Sequence, residues 1–305
     1  MERRERATRA LGRVAAALGP HGQWPGWVEP DGAPGSGRRD LAAPLTALGV
    51  LALRGLSVAG ADAIVERSLE HVERTVRPGG LWRYYANIPP DTDDTAMCAL
   101  ALGLDHPVVR EQTVASLAAT RGADGRFPTW LEAGWSPVFD PVPNAHVVAV
   151  LGPGPVTDAA VEWLLDVVAA GREAAESAYY PDPLDLHVAL TRAVGAGVEA
   201  LRPAVERGAG RAVERLHAGE LSPYRIAQAV VVAASASRPD RRLLREAAGH
   251  LVELAGPDGS WPSDQLFVAR NTAGPGLWRY RSWTVVTALC VRALAVAETG
   301  QEEAG

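Results

Sequence analysis

Pairs of helical segments joined by short breaks alternate along this chain with long loops rich in Gly and aromatic residues. The alternation recurs about every 45–50 residues and yields roughly twelve helices in six pairs. Apolar residues fall at helical spacing over 4–18, 40–54, 61–75, 93–102 and 108–120. Further segments start near 143, 155, 183, 198, 222, 239 and 282. Helices of this kind hide their apolar faces only by stacking on neighbours, so a repeated pair demands an array. The first and last helices lack a short-linked partner, and pairing them closes the array into a ring. No alternation of strand type is evident, so the sequence predicts an all-α fold. The expected architecture is one domain over 1–305, an α6–α6 toroid of six helical hairpins.

If the helix after each long loop lies inside, all inner helices run parallel and their N-termini meet at one end. The residues there are Asp40, Asp91 to Asp94, Asn144, His146, Asp182, Asp185, His187, Ser222, Tyr224, Arg225, Ser282 and Trp283. Capping the first helical turn is an adequate role for Asp40, Asp182 and Ser282. The stretch before the fourth helix holds more acid than a cap needs. It reads Gly79-Gly80-Leu81-Trp82-Arg83-Tyr84-Tyr85, then Pro89-Pro90-Asp91-Thr92-Asp93-Asp94. Crowded carboxylates among aromatic rings raise one another's pKa by repulsion and desolvation, the condition for a carboxylic acid near neutral pH.

Composition narrows the partners. The formal net charge is −6 and no basic stripe offsets it, which argues against nucleic acid. Cys98 and Cys290 sit in apolar helical patterns and suggest neither a disulfide framework nor a thiolate zinc site. No apolar run is long enough to span a bilayer. The mixed-charge start, Met1-Glu2-Arg3-Arg4-Glu5-Arg6, lacks a following apolar core, so a cytoplasmic protein is expected.

Pro90-Asp91-Thr92-Asp93-Asp94-Thr95-Ala96, preceded by Gly79-Gly80, resembles the Pro-Asp-x-Asp-Asp-Thr-Ala signature of the squalene–hopene cyclase and class II terpene cyclase family. Pro143-Asn144-Ala145-His146-Val147-Val148 is similar to that family's Ala-His-Val segment, and 79–82, 124–127 and 258–261 resemble its Gly-x-aromatic loops. The resemblance implies that Asp93 donates a proton to an alkene or epoxide, that Asp91 and Asp94 hold and polarise it, and that His146 orients and reprotonates it. It implies that aromatics at the mouth shield a carbocation: Trp82, Tyr84, Tyr85, Trp130, Trp135, Trp278, Tyr280 and Trp283. Asn144 joins this substrate-binding set. Trp24, Trp27 and Trp261 read as structural clamps. The implied substrate is a linear isoprenoid small molecule of sesqui- or diterpene length, with no redox cofactor and no protein-held metal. A diphosphate head would add Mg2+ and a cationic clamp from Arg83, Arg270, Arg279 or Arg281.

Known cyclases of this class usually have two barrels, whereas this chain is one barrel long. It would act alone, as a homodimer or with a partner subunit, with peripheral membrane contact rather than a span. Two readings stand beside the cyclase: a non-catalytic isoprenoid-binding or accessory barrel, and a glycosidase-type toroid pairing Asp93 with Asp185.

Overall fold

The structure is a computed structural model that describes residues 2–31, 36–132, 138–270 and 276–299. Its helices are α1 (Glu2–Ala17), α2 (Ala43–Leu53), α3 (Ala61–Arg74), α4 (Thr92–Leu102), α5 (Val114–Ala119), α6 (Pro141–Leu151) and α7 (Asp158–Ala170). They continue as α8 (Glu173–Glu176), α9 (Pro183–Gly195), α10 (Arg202–Ala218), α11 (Pro223–Ala234), α12 (Arg241–Leu254) and α13 (Trp283–Glu298). A π-helical turn, Val109–Thr113, leads into α5.

Contacts run from α2 to α4, α6, α9, α11 and α13, and α13 returns to α2. The helices after the long loops therefore form a closed inner circuit. Outside it, α3 packs on α2 and α4, α7 on α6, α10 on α9 and α11, and α12 on α11 and α13, while α1 packs on α13. Burial follows this division. Ten of the eleven residues of α6 are buried, because an inner helix meets protein on every side. In α12 only Leu243, Leu244, Ala247, Ala248 and Leu251 are buried, the single stripe of a helix with one wet face.

The expectation of an all-α chain is corrected by a four-stranded antiparallel sheet. Strands β1 (Gly26–Pro30), β2 (Arg38–Asp40), β3 (Gln265–Arg270) and β4 (Leu277–Arg281) lie in the order β2-β1-β4-β3. Trp27 pairs with Arg281 and Pro30 with Trp278. These strands are short and lie in Gly- and Pro-rich loops, so alternation has little length in which to show. Ring closure brings the two distant loops side by side, and pairing follows from that approach.

One turn is repeated four times, at 19–24, 77–82, 122–127 and 256–261. In each, the first amide N–H donates to the carbonyl four residues on, and the fourth donates back to the first carbonyl, at 2.8–3.0 Å. The fourth residue is always Gly with positive φ: Gly22, Gly80, Gly125 and Gly259. At Gly22 a Cβ would lie 2.1 Å from the carbonyl oxygen of Arg67, so a side chain is excluded by space as well as by conformation. An aromatic residue two places later clamps the loop onto the next inner helix. The backbone N–H groups of Trp24, Trp82, Phe127 and Trp261 donate to the side chains of Thr46, Thr95, Asn144 and Thr287. The indole N–H groups of Trp24, Trp82 and Trp261 reach Ser68 Oγ, Val72 O and Leu251 O on outer helices, each at 2.8 Å. The copy at 19–24 adds to the three legible in the sequence.

Candidate active site

The clamp at Trp82 delivers the start of α4. Asp91 is its N-cap: Oδ1 accepts from the Asp94 N–H at 2.7 Å. The Thr92 N–H donates to Thr129 O at 2.8 Å, and Asp91 bridges to Trp130, so two loops brace the turn. Capping is thus the work of Asp91, and Asp93 is left to face the ring. Its Oδ1 lies 2.8 Å from Nδ1 of His146 on α6, and its Oδ2 accepts from the hydroxyl of Tyr180, in the loop before α9. All three residues are buried.

His146 Nε2 lies 3.3 Å from Nη1 of Arg192 on α9. A guanidinium can only donate, so Nε2 accepts and a neutral His146 carries its proton on Nδ1, pointed at Asp93. Arg192 lines the cavity one turn beyond Val188 on α9 and makes no ion pair with a carboxylate among the described residues.

Three buried carboxylates within four residues share this turn. Burial pushes Asp91 up to about 7, with the charge of Asp93 adding to it and hydrogen bonds from Asp94 opposing. Burial also lifts Asp94 well above the usual carboxylate range, reinforced by the charges of Asp91 and Asp93. Such groups titrate together, so the turn retains protons toward neutral pH. Burial raises Tyr180 well above 10, so it stays a phenol donor.

His146, Tyr180 and Arg192 line a cavity within the ring, whose walls are mainly apolar (Val142, Val188, Leu266, Val285 and Leu289). Its space is about 30 Å³, room for about one water molecule. The cap over it is aromatic. Phe267 of β3 stacks on Tyr280 of β4 at 4.6 Å, and Tyr84 meets both edge-on at 5.7 and 5.1 Å. Tyr84 and Tyr85 donate to Asp40 Oδ2 at 2.7 and 3.1 Å, which ties this cap to β2. A larger groove of about 490 Å³ lies between α1 and α3, on the outer wall and remote from the carboxylates.

Several residues expected at the site lie elsewhere. Trp82 is fully buried behind α4 with its indole on α3, so it is a clamp like Trp24 and Trp261 and does not line the cavity. Asn144 is also fully buried, and both ends of its amide are used by the backbone of Phe127, so it has no group to offer a ligand. Trp130 donates to the Tyr179 hydroxyl at 3.1 Å, beside the Asp91 turn. Trp278 and Trp283 are half-buried and outside the cavity lining. Arg279 is engaged by Asp31 and Gln265, and Arg281 pairs with Glu29, so neither is a free cationic clamp. Trp135 lies outside the described residues. Tyr180, Arg192, Leu266 and Phe267 are site residues that the sequence reading lacks. The signals for two of them are the Tyr pair before Pro181 and an arginine in the C-terminal half of an inner helix.

Among the described residues no group of three or more His, Cys, Asp or Glu side chains is placed to hold a metal ion. No helix among them is long and apolar enough to cross a membrane.

Type II terpene cyclases are among the solved structures whose fold this ring of helices resembles. A variant of the cyclase MstE from Scytonema, solved with its substrate geranylgeranyl dihydroxybenzoate, matches with a TM-score of 0.70 at 17% identity, covering 97% of this chain and 98% of that one. A protein from Actinoplanes matches with a TM-score of 0.74 at 18% identity, over 97% of this chain and 99% of that one. The ent-copalyl diphosphate synthase from Streptomyces platensis matches with a TM-score of 0.56 at 21% identity, over 84% of this chain and 50% of that one. At these identities the likeness is one of fold. No protein-family model matches the chain, and no curated protein matches it by sequence.

Proposed function

We propose that the chain is a class II-type terpene cyclase built as a single α6–α6 toroid, which protonates a linear isoprenoid of sesqui- or diterpene length and lets it cyclise. The observation that carries this reading is Asp93. It is buried, gripped by His146 and Tyr180, which line the mainly apolar cavity, and flanked by two carboxylates that burial keeps toward their protonated forms.

Asp93 is the general acid. Its proton passes to the terminal alkene carbon, leaving a cation for the next double bond to attack. Asp91 and Asp94 hold a reserve of protons in the same turn, and His146, oriented by Arg192, holds Asp93 in place through Nδ1–H while exchange with solvent returns its proton. Ring faces attract a cation by about 0.5–2 kcal/mol each and offer no lone pair to quench it. Phe267, Tyr280 and Tyr84 supply such faces at the cap. The isoprenoid takes the space that Phe267 and Leu266 now fill, since a chain of that size needs on the order of 300 Å³ or more. No redox cofactor is required, and Mg2+ enters only with a diphosphate head group.

The comparison with MstE supports a single barrel acting alone, because a chain of matching length was solved with a geranylgeranyl substrate. The test is product formation from farnesyl and geranylgeranyl diphosphates and their free alcohols, followed by mass spectrometry. The wild type is expected to give cyclic products, and Asp93→Asn is expected to give none while keeping its circular dichroism. Tight prenyl binding without turnover by the wild type would favour a non-catalytic barrel.

A further inference from the structure

The proposed cascade releases one proton at its start and must dispose of one at its end. Asp93, held on both oxygens by His146 and Tyr180, is assigned to the first of these. The carboxylate that lines the cavity is a different one. Asp185, in the first turn of α9, is 6% exposed and lines the same cavity. Its Oδ1 accepts from Arg225 Nη1 at 2.8 Å and from Gln228 Nε2 at 2.7 Å, both on α11. Its Oδ2 is buried and has no hydrogen-bond partner among the described residues.

Burial raises Asp185 above the usual carboxylate range, while Arg225 and Gln228 oppose that shift and favour the anion. A buried acceptor left open on the other oxygen is costly unless the site's ligand fills it. The hydroxyl of Tyr224, on the α11 wall of the cavity, has no hydrogen bond among the described residues either. A hydrocarbon satisfies neither group. What satisfies both is a small molecule that donates and accepts at once, and the remaining space, about 30 Å³, is that of one water. Asp185 thus presents, on the cavity lining, one donor-anchored oxygen and one open oxygen, the arrangement of a proton acceptor.

We propose that Asp185 is the terminal base of the reaction, holding a water molecule with Tyr224 so that the last carbocation is captured as an alcohol. The inference rests on the cyclase reading above. The water oxygen forms the new C–O bond, its O–H bond breaks with the electron pair kept on oxygen, and the proton passes to Asp185 Oδ2. The net reaction adds one water to the isoprenoid with no oxidant or reductant. Both carboxyl groups return to their starting states by exchange with solvent as product leaves.

The experiment is turnover of farnesyl and geranylgeranyl substrates in H₂¹⁸O, with mass spectrometry of the ring-borne fragment. The wild type is expected to place one ¹⁸O on the ring skeleton. Asp185→Asn, which keeps the shape and can still accept from Arg225, is expected to lower the ratio of cyclic alcohol to cyclic alkene at least tenfold. Cyclic wild-type products without ring-borne ¹⁸O would overturn this inference and leave the cyclase reading standing. An unchanged alcohol-to-alkene ratio in Asp185→Asn would do the same. No cyclic product from the wild type would overturn both. Should Asp185→Asn fail to fold, Tyr224→Phe, which leaves the Arg225 and Gln228 bonds to Asp185 in place, is expected to lower the same ratio, and an unchanged ratio there would overturn the inference.

Discussion

His146 Nε2 and Arg192 Nη1 face each other at 3.3 Å, so the donor-only guanidinium dictates which ring nitrogen carries the proton. The dictated tautomer points N–H at the acid that starts the proposed reaction. Arg192 is therefore a positioning residue that acts through His146.

Replacing Arg192 by Met is expected to lower turnover by about 10²-fold, within the usual worth of a well-placed proton-transfer group. ¹⁵N NMR of the imidazole separates this from a general loss of packing. The wild type should show an unprotonated Nε2, and the variant a mixture of tautomers. A variant that keeps the wild-type ¹⁵N pattern would remove Arg192 from this role.

Stability should depend on pH through the α4 turn. Asp91 titrates near about 7 in the fold against an ordinary 3.8, and Asp94 is raised in the same direction. A carboxyl that binds its proton more tightly when folded stabilises the fold at low pH and loses that contribution as pH rises through the folded value. The melting temperature is accordingly expected to fall from about pH 5 to about pH 8. Asp91→Asn, which keeps a capping oxygen, should flatten that fall. A melting temperature that rises across this window would contradict the assignment.

Asp91→Ala removes the cap as well as the charge. It is expected to cost about 1 kcal/mol through the lost bond to the Asp94 N–H. The comparison of Ala with Asn by thermal denaturation isolates the cap from the carboxyl. Equal melting temperatures at low pH would show that the cap contributes nothing.

Trp82→Phe deletes the indole bond to Val72 and leaves a ring in place. We expect a stability loss of about 1 kcal/mol from the lost bond, since Val72 O keeps Thr75 Oγ1 as a donor at 2.9 Å, with an unchanged product spectrum. A shifted product spectrum at unchanged stability would mean that the ring faces the cation after all.

Phe267→Ala thins the aromatic cap and enlarges the cavity below it. Longer prenyl substrates should gain in kcat/KM relative to shorter ones. An unchanged preference across farnesyl and geranylgeranyl substrates would show that β3 does not measure chain length.

Much of the ring was readable because helical pairing is local: each hairpin announces itself within one repeat. The acid turn was readable for the same reason, since Asp91, Asp93 and Asp94 are contiguous. Legibility ended where partners are distant. The strands pair residues from opposite ends of the described chain, and Tyr180 reaches Asp93 from a loop whose sequence looks unlike its counterparts. Asn144 shows the converse error. Its neighbour His146 reaches Asp93, yet two residues earlier on the helix the side chain faces the Phe127 loop, and the linear motif does not distinguish the two directions.

The seam between α13 and α2, sealed over by β1 and β4, also bears on how the molecule assembles. Every other contact in the inner circuit joins helices that are neighbours in order, whereas this one joins the last to the first. During synthesis the hairpins can condense as they leave the ribosome, but the circle cannot close until residues 277–298 emerge. Until then the flank of α2 that receives α13 stays exposed as an apolar edge. Chaperone demand and aggregation should therefore peak just before the final helix is made, and chains stalled at that point should be the sticky ones.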